Sequence, residues 1–188
     1  MKKTLKKSAQ VHKGFTLVEL LVVIAIIAIL AAVVVLIINP LELTRRGRDA
    51  ARLSDLANLQ NAINVAVQEA TGSGTADILC AAGFNNSASS CKGVSNTGTR
   101  ASDGTGWVGV NLSAQKSVSV PTLPADPTND AINHYAYCSD GDAWEINAAL
   151  ESDQQKDKKK NDGGDDDTLY EVGSNLKLVS ATGGTCAY

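Results

Sequence analysis

The carboxylate of Glu19 stands in a setting that calls for a chemical partner. It lies four residues after Phe15, and every residue from Leu20 to Ile38 is apolar. A charge in such surroundings is costly and normally has a partner of opposite sign. We expect that partner to come from another molecule, so Glu19 is the first candidate for a functional residue.

An acidic loop from Asn161 to Asp167 is the second place where residue types suggest chemistry. Calcium prefers carboxylate and carbonyl oxygens on a flexible loop that contains glycine. The expected ligands are Asp162, Asp165 and Asp167. The spacing differs from that of an EF-hand, and four lysines between 156 and 160 could neutralise the acids. A solvated charged loop is therefore the other interpretation.

The four cysteines, Cys80, Cys91, Cys138 and Cys186, form an even set. In a domain outside the membrane such a set favours two disulfides. Three pairings are open. We favour Cys80 with Cys91, which closes a short loop, and Cys138 with Cys186, which pins the C-terminal tail. No CxxC or Cys/His spacing typical of zinc sites is present, so we expect no zinc.

The sequence offers no arrangement typical of an enzyme. The two histidines, His12 and His134, are far apart in the chain, and we expect His134 to be structural or exposed. The glycines between 104 and 109 are spaced wrongly for a dinucleotide-binding loop. The net charge of −3 gives no reason to expect a nucleic acid as partner.

The apolar run has the length of a membrane-spanning helix. From Leu20 to Ile38 a helix would measure roughly 28 Å, close to the ~30 Å hydrocarbon core of a bilayer. An ordinary signal peptide has a shorter apolar core. The segment before Gly14 carries five lysines and no acid, so we orient the N-terminus toward the cytoplasm. Four arginines between 45 and 52, partly offset by acids, weaken this argument.

A second helical segment is expected after the apolar run. Asn39–Pro40 ends the apolar run, and we expect a kink in the helix there, because proline removes a backbone hydrogen bond. From 41 to 70 the apolar residues follow a 3-4 spacing that predicts one buried stripe, and Thr71–Gly74 should stop the helix. The stripe consists of Leu56, Leu59, Ile63, Ala66 and Ala70.

The rest of the chain predicts a small antiparallel sheet. Residues 72–106 suggest a loop with a short helical turn near 77–82, and residues 151–167 a charged loop. Alternating patterns indicate strands. The expected strands are 107–112, 134–138, 143–150, 169–173 and 176–179, of which the second and third form a hairpin. The predicted fold class is α+β, with a long N-terminal helix packed on this sheet.

The segment Lys13-Gly14-Phe15-Thr16-Leu17-Val18-Glu19 resembles the prepilin signal of type IV pilins and type II secretion pseudopilins. The resemblance covers about residues 7–60. It implies that a membrane-embedded peptidase cuts between Gly14 and Phe15 and methylates the new amine of Phe15. It also implies that Glu19 pairs with the N-terminal amine of a neighbouring subunit, and that the fold is pilin-like.

A weaker resemblance links the C-terminal half to major pseudopilins, through the order of its turn, strands and acidic loop. Those proteins bind calcium in the corresponding loop region. The resemblance therefore adds support to calcium as the candidate cofactor.

Together these features predict a leader at 1–14, a transmembrane and filament-core helix at 15–38, an amphipathic helix at 39–71 and an extracytoplasmic head at 72–188. The expected function is that of a filament subunit in a type IV pilus or a secretion pseudopilus. The expected partners are copies of itself, minor pilins or pseudopilins, the prepilin peptidase and an inner-membrane assembly platform. The alternative is a membrane-anchored binding domain that does not polymerise.

Overall fold

The computed structural model describes residues 14–70, 74–81, 84, 86–87, 90–179 and 186. The chain divides into two units, Met1–Pro40 and Leu41–Tyr188. The predictions for the basic leader and for His12 lie outside the described residues. So does most of the predicted helix stop at Thr71–Gly74.

The first unit contains helix α1, Leu17–Ile38, which is apolar on all sides. Its stretch Leu17–Val35 is long and apolar enough to cross a membrane, and none of it is buried within the chain. The helix ends at Asn39, whose φ of 43° is left-handed. Asparagine tolerates that conformation better than most residues. Among the described residues, α1 is the one helix that could anchor the chain in a membrane.

Helix α2, Pro40–Glu69, starts at the last residue of the first unit, and the rest of it belongs to the second unit. Pro40 occupies the first helical position, where its missing N–H costs nothing. In place of the expected kink, one helix ends at Asn39 and another begins at Pro40, because Asn39 leaves the helical conformation. The predicted stripe is confirmed, since Leu56, Leu59, Ile63 and Ala66 are buried, while Ala70 is half-buried just beyond the helix.

The head contains a five-stranded antiparallel sheet with strands in chain order. The strands are β1 Asn86–Ser87, β2 Ser90–Val94, β3 Tyr135–Ser139, β4 Trp144–Ala148 and β5 Tyr170–Gly173. The predicted hairpin is confirmed as β3 and β4, and the predicted strand at 169–173 is confirmed as β5. The α+β, pilin-like layout is also confirmed.

The interpretation of residues 72–106 as a loop was wrong in part. Strands β1 and β2 both lie within it. The short helical turn expected near 77–82 is present as helix α3, Thr75–Leu79. Conversely, 107–112 is not a strand, and its vicinity has only a single bridge between Asp103 and Asn111. The backbone of this segment is irregular, but four of its side chains are buried in the core: Trp107, Val108, Val110 and Leu112. Their burial explains the apolar pattern that suggested a strand.

Two further segments near the C-terminus differ from expectation. The charged loop 151–167 contains a 3-10 turn at Asp153–Gln155 and a short helix α4, Lys156–Lys160. The segment 176–179 is not a strand in the described structure. Val179 instead forms one parallel bridge with Cys186, next to the disulfide that holds Cys186 against β3.

The sheet is buried on both faces. One face joins α2 in the main core, to which Tyr135, Tyr137 and Ile146 contribute. On the other face Cys138 packs with Leu178, Val179 and Cys186 in a smaller cluster. The cysteines pair as favoured from sequence, Cys80 with Cys91 and Cys138 with Cys186, with Cα atoms 5.8 and 6.1 Å apart. The second bridge therefore fastens Cys186 to the face of the sheet that carries Cys138.

Candidate functional site

The predicted cleavage site lies in irregular backbone directly before α1. Gly14 and Phe15 precede the first helical residue, Leu17. Phe15 is 92% exposed, and a Cβ added at Gly14 would meet no atom within 4 Å. Among the described residues of this unit, none covers the bond between Gly14 and Phe15.

Glu19 and Thr16 form a reciprocal capping box at the start of α1. The Glu19 backbone N–H donates to Thr16 Oγ1 over 3.2 Å. The Thr16 N–H and hydroxyl each donate to Glu19 Oε2, over 2.8 and 2.7 Å. Such a box satisfies amides that a helix N-terminus leaves open, and the helix dipole favours a negative charge there. The carboxylate is thus held in a fixed place beside Phe15.

Sequence reasoning found Glu19 but missed its partner. The spacing Thr16-x-x-Glu19 is the ordinary sequence signal of a capping box. This spacing could have shown that the Glu19 carboxylate has a partner, Thr16, within its own chain. A contact of Glu19 with a neighbouring subunit would then either add to its hydrogen bonds with Thr16 or replace them.

The surface of α1 beyond the cap is apolar and uncovered. Large side chains around the helix, such as Leu21, Ile24 and Ile29, remain more than half exposed. A helix that is apolar on every side requires lipid or other protein around it. The Glu19 carboxylate therefore lies at the start of α1, and the exposed apolar side chains of α1 must be covered by other molecules.

A buried ion network fixes α2 within the head. Arg52 is fully buried and contacts Asp126, Asp49 and Glu151. Arg48 adds two hydrogen bonds to Glu151, of 2.7 and 2.8 Å. The hydrogen bond from Arg48, reinforced by Arg52, lowers the pKa of Glu151 to about 2. The network joins one face of the helix to two loops of the head.

Sequence reasoning also missed Arg52, although the sequence contains a signal for it. Arg52 lies four residues before Leu56, and Asp49 lies three residues before Arg52. Both therefore continue the 3-4 spacing of the buried stripe. Polar residues on a buried stripe indicate a paired network, because lone charges in a core are too costly.

The three aspartates proposed as calcium ligands do not gather around one point. Asp162 accepts the Gly164 and Glu171 amides with its two carboxylate oxygens, while Asp165 and Asp167 are exposed. Among the described residues, no three Asp, Glu, His or Cys side chains form a group that could hold a metal. Calcium binding by this loop stays a prediction.

His134 lies at the edge of the head. Its Nδ1 is 3.2 Å from the Asp130 carbonyl oxygen, in an exposed contact. This contact is to a backbone carbonyl, not to a side chain that could complete a catalytic set. The structural or exposed role of His134 stays a prediction.

Comparison with known families identifies the N-terminal region. Residues 10–35 match the model of the prokaryotic N-terminal methylation motif, which describes structural subunits rather than enzymes. No curated protein and no solved structure matches the chain. The matched range contains Gly14, Phe15, Thr16 and Glu19. The chain therefore carries, ahead of a helix that could cross a membrane, the prepilin-type signal of type IV pilins and pseudopilins.

Proposed function

We propose that this protein is the structural subunit of a type IV pilus-like or type II secretion pseudopilus filament. It is cleaved after Gly14, methylated on the amine of Phe15 and polymerised through α1. The observation that carries the proposal is the placement of Glu19. Its carboxylate is fixed by Thr16 at the start of an uncovered apolar helix, within the methylation motif.

Assembly follows from the charge that cleavage creates. Cutting after Gly14 leaves a positive amine on Phe15, one residue before the capping threonine. In an apolar environment a carboxylate and an ammonium attract each other far more strongly than in water. The amine of an incoming subunit therefore finds its best partner in Glu19 of a subunit already in place. This pairing sets the axial position of each new helix.

The apolar surface of α1 supplies the contact area. In the bilayer it is covered by lipid, and in a filament it is covered by the α1 helices of neighbouring subunits. Close packing between such helices replaces lipid contacts. The head remains on the outside, where its two disulfides suit an oxidising compartment.

The partners follow from this sequence of events. A prepilin peptidase cuts and methylates the chain at the cytoplasmic face, which the basic leader reaches. An inner-membrane assembly platform then extracts the subunit and adds it to the filament, together with minor pilins or pseudopilins. The filament stands on the cell surface or in the periplasm.

The test compares Glu19→Ala and Glu19→Gln with the unaltered chain, in cells that contain a prepilin peptidase and an assembly system. We expect both variants to be processed and inserted, and to yield far fewer filaments in the sheared or periplasmic fraction. Glu19→Gln keeps the size of the side chain but removes its charge. If both variants lose filament yield equally, the loss is due to the missing charge. Glu19→Asp is the matched control that keeps the charge, and it should retain part of the yield.

Two results would contradict the proposal. Wild-type filament yield from Glu19→Ala would remove the assigned role of the carboxylate. A processed wild-type chain that forms no filament with the assembly system present would favour a membrane-anchored binding domain.

A further inference from the structure

The first turn of α2 exposes two large apolar side chains. Leu41 is 71% exposed and Leu43 is 60% exposed. In the described part of the second unit, the one other large apolar side chain left exposed is Ile132. The head therefore concentrates its exposed apolar surface where α2 starts.

Two arginines follow this apolar turn directly. Arg45 lies four residues after Leu41, so the two side chains share one face of the helix. Arg45 is exposed and forms no ion pair within the described residues. Arg46 pairs with Glu42 over 3.3 Å, yet 47% of its side chain stays exposed. Along α2 an apolar turn is thus followed by an exposed basic turn.

A segment from far along the chain brings further positive charge to the same place. The Asp153 amide donates to Glu42 Oε1 over 2.9 Å, the same oxygen that accepts Arg46. The ammonium of Lys156 in turn donates to the Asp153 carboxylate. Lys156 chiefly lowers the pKa of Asp153, and the charges of Arg45 and Arg46 add to this effect. The start of α4 therefore lies beside the first turns of α2.

The charge of this region is opposite in sign to that of the whole chain. Residues 41–46 and 153–160 together contain six Lys and Arg but three Asp and Glu, whereas the whole chain has a net charge of −3. Glu42, one of the three acids, is buried beneath the cations at 8% exposure. Lys160 is exposed and lies on the same face of α4 as Lys156, four residues earlier. The region therefore presents an excess of positive charge to its surroundings.

The covalent chain keeps this region close to the end of α1. Leu41 is the third residue after Ile38, the last residue of α1, and three residues span at most about 11 Å. The headgroup layer on each side of a bilayer is on the order of 5–8 Å thick. When α1 crosses a bilayer, the first turns of α2 therefore start within reach of the lipid headgroups.

We propose that these residues form a surface that binds the headgroups of anionic phospholipids, on the leaflet at which α1 ends. The inference goes beyond the proposed function, because it needs α1 in a bilayer but does not need polymerisation. We call this surface the juxtamembrane surface, and it consists of Leu41, Leu43, Arg45, Arg46, Lys156 and Lys160.

The order of residue types favours lipid as the occupant. Apolar side chains such as Leu41 and Leu43 can enter the edge of the hydrocarbon layer, as in helices that lie at a membrane interface. The arginines one turn further can then meet the phosphates, whose geometry suits a guanidinium. Lipid is also the molecule that every membrane-inserted copy has beside this surface. An acidic face on a neighbouring copy of the chain is the competing occupant.

The experiment uses the full chain, one copy per lipid nanodisc, in discs of phosphatidylcholine and in discs that also contain phosphatidylglycerol. An amine-reactive reagent acetylates exposed lysines, and mass spectrometry measures the rate at each lysine separately. Lys116 is the internal reference, because its amide donates to Glu69, about 36 Å of helix away from Arg45. The variants are Arg45→Gln and, as the matched control, Lys177→Gln, which removes one exposed positive charge elsewhere in the head.

We expect Lys156 and Lys160 to react about fivefold more slowly in the discs with phosphatidylglycerol, since one basic residue near an anionic surface contributes an effect of that size. Lys116 should react at the same rate in both kinds of disc. Arg45→Gln should reduce the slowing at Lys156 and Lys160, although it changes neither lysine, and Lys177→Gln should leave it unchanged. High salt should remove the slowing, because it screens exposed charges.

Three results would overturn the inference. The first is an equal rate at Lys156 and Lys160 in the two kinds of disc. The second is slowing of the same size at Lys116, which would show that the head meets the anionic lipid without a specific surface. The third is slowing that occurs in both lipids and only when a disc holds several chains. That result would assign the juxtamembrane surface to a neighbouring copy of the chain.

Discussion

The guanidinium of Arg52 and the carboxylate of Asp126 form a two-point, fully buried pair. Arg52 Nε lies 2.6 Å from Asp126 Oδ2, and Nη2 lies 2.9 Å from Oδ1. Asp126 also accepts the amides of Thr128 and Asn129. One pair therefore orders the loop after Pro124 and anchors it to α2. A head with few aromatic residues relies on such contacts to hold its helix in register.

Replacing Arg52 should destabilise the head strongly. Arg52→Met leaves Asp49 and Asp126 buried without their positive partner, which typically costs about 3–5 kcal/mol. Arg45→Met is the control, since Arg45 is exposed on the same helix and surface changes usually stay within about 0.5 kcal/mol. Urea unfolding followed by tryptophan fluorescence measures both. Equal stability of the two variants would show that the network is not structural.

The head should lose stability in acid through Glu151. Its pKa is about 2 in the folded chain, mainly because of Arg48, against an ordinary value of 4.5. A lowered pKa contributes stability above the unfolded value, and this contribution is lost as the pH falls from 4.5 toward 2.

The corresponding measurement is the free energy of unfolding from about pH 6 down to about pH 2, for the wild type and for Glu151→Gln. Glu151→Gln should be less stable than the wild type at the upper end of this range. The difference between their free energies of unfolding should decrease as the pH falls. A difference that does not change with pH would contradict the stabilising contact of Glu151 with Arg48 and Arg52.

Two glycine substitutions should have opposite effects. Gly47 lies exposed in α2 with open space around it, so Gly47→Ala should stabilise the helix by up to about 1 kcal/mol. A Cβ at Gly93 on β2 would collide with the Trp107 carbonyl oxygen. Gly93→Ala should therefore force the sheet and the 107–112 segment apart and lower the melting temperature. Thermal unfolding followed by tryptophan fluorescence measures both variants. A shift of the two melting temperatures in the same direction would refute this packing.

The disulfides give a prediction about covalent structure. Peptide mapping without reduction should recover Cys80 with Cys91 and Cys138 with Cys186. Replacing Cys138 and Cys186 by serine should cost about 2–4 kcal/mol, because that bridge closes the longer loop, with a sequence separation of 48 residues. Free thiols at all four positions would defeat the prediction, and a crossed pairing would reject the connectivity alone.

Local periodicity accounts for what the sequence could predict. The spacing of Leu56, Leu59, Ile63 and Ala66 predicted the buried face of α2, and alternation around 139–142 predicted the β3–β4 hairpin. Strand β2 was missed because Gly93 and its polar neighbours resemble a loop. Their strand conformation depends on pairing with β3, which lies far along the chain.

The same limit explains two buried glutamates that sequence reasoning missed. Glu145 and Glu171 occupy strand positions that alternate with core residues, and such positions usually face water. Glu145 is buried because it accepts the Leu178 and Val179 amides, which lie far along the chain. Glu171 is buried because Gly164 and Asp166 lie against its carboxylate. The Thr16–Glu19 cap and the position of Arg52 on the stripe, by contrast, are local signals that the sequence does contain.

The most direct test of the central claim is the mass of the mature N-terminus. The chain should be purified from cells that contain a prepilin peptidase, and its N-terminal peptide analysed by mass spectrometry. We expect the peptide to begin at Phe15 and to carry one added methyl group on its amine. A mature chain that begins at Ala31, at Ala32 or beyond the apolar run would show cleavage by an ordinary signal peptidase and would contradict the assignment as a prepilin.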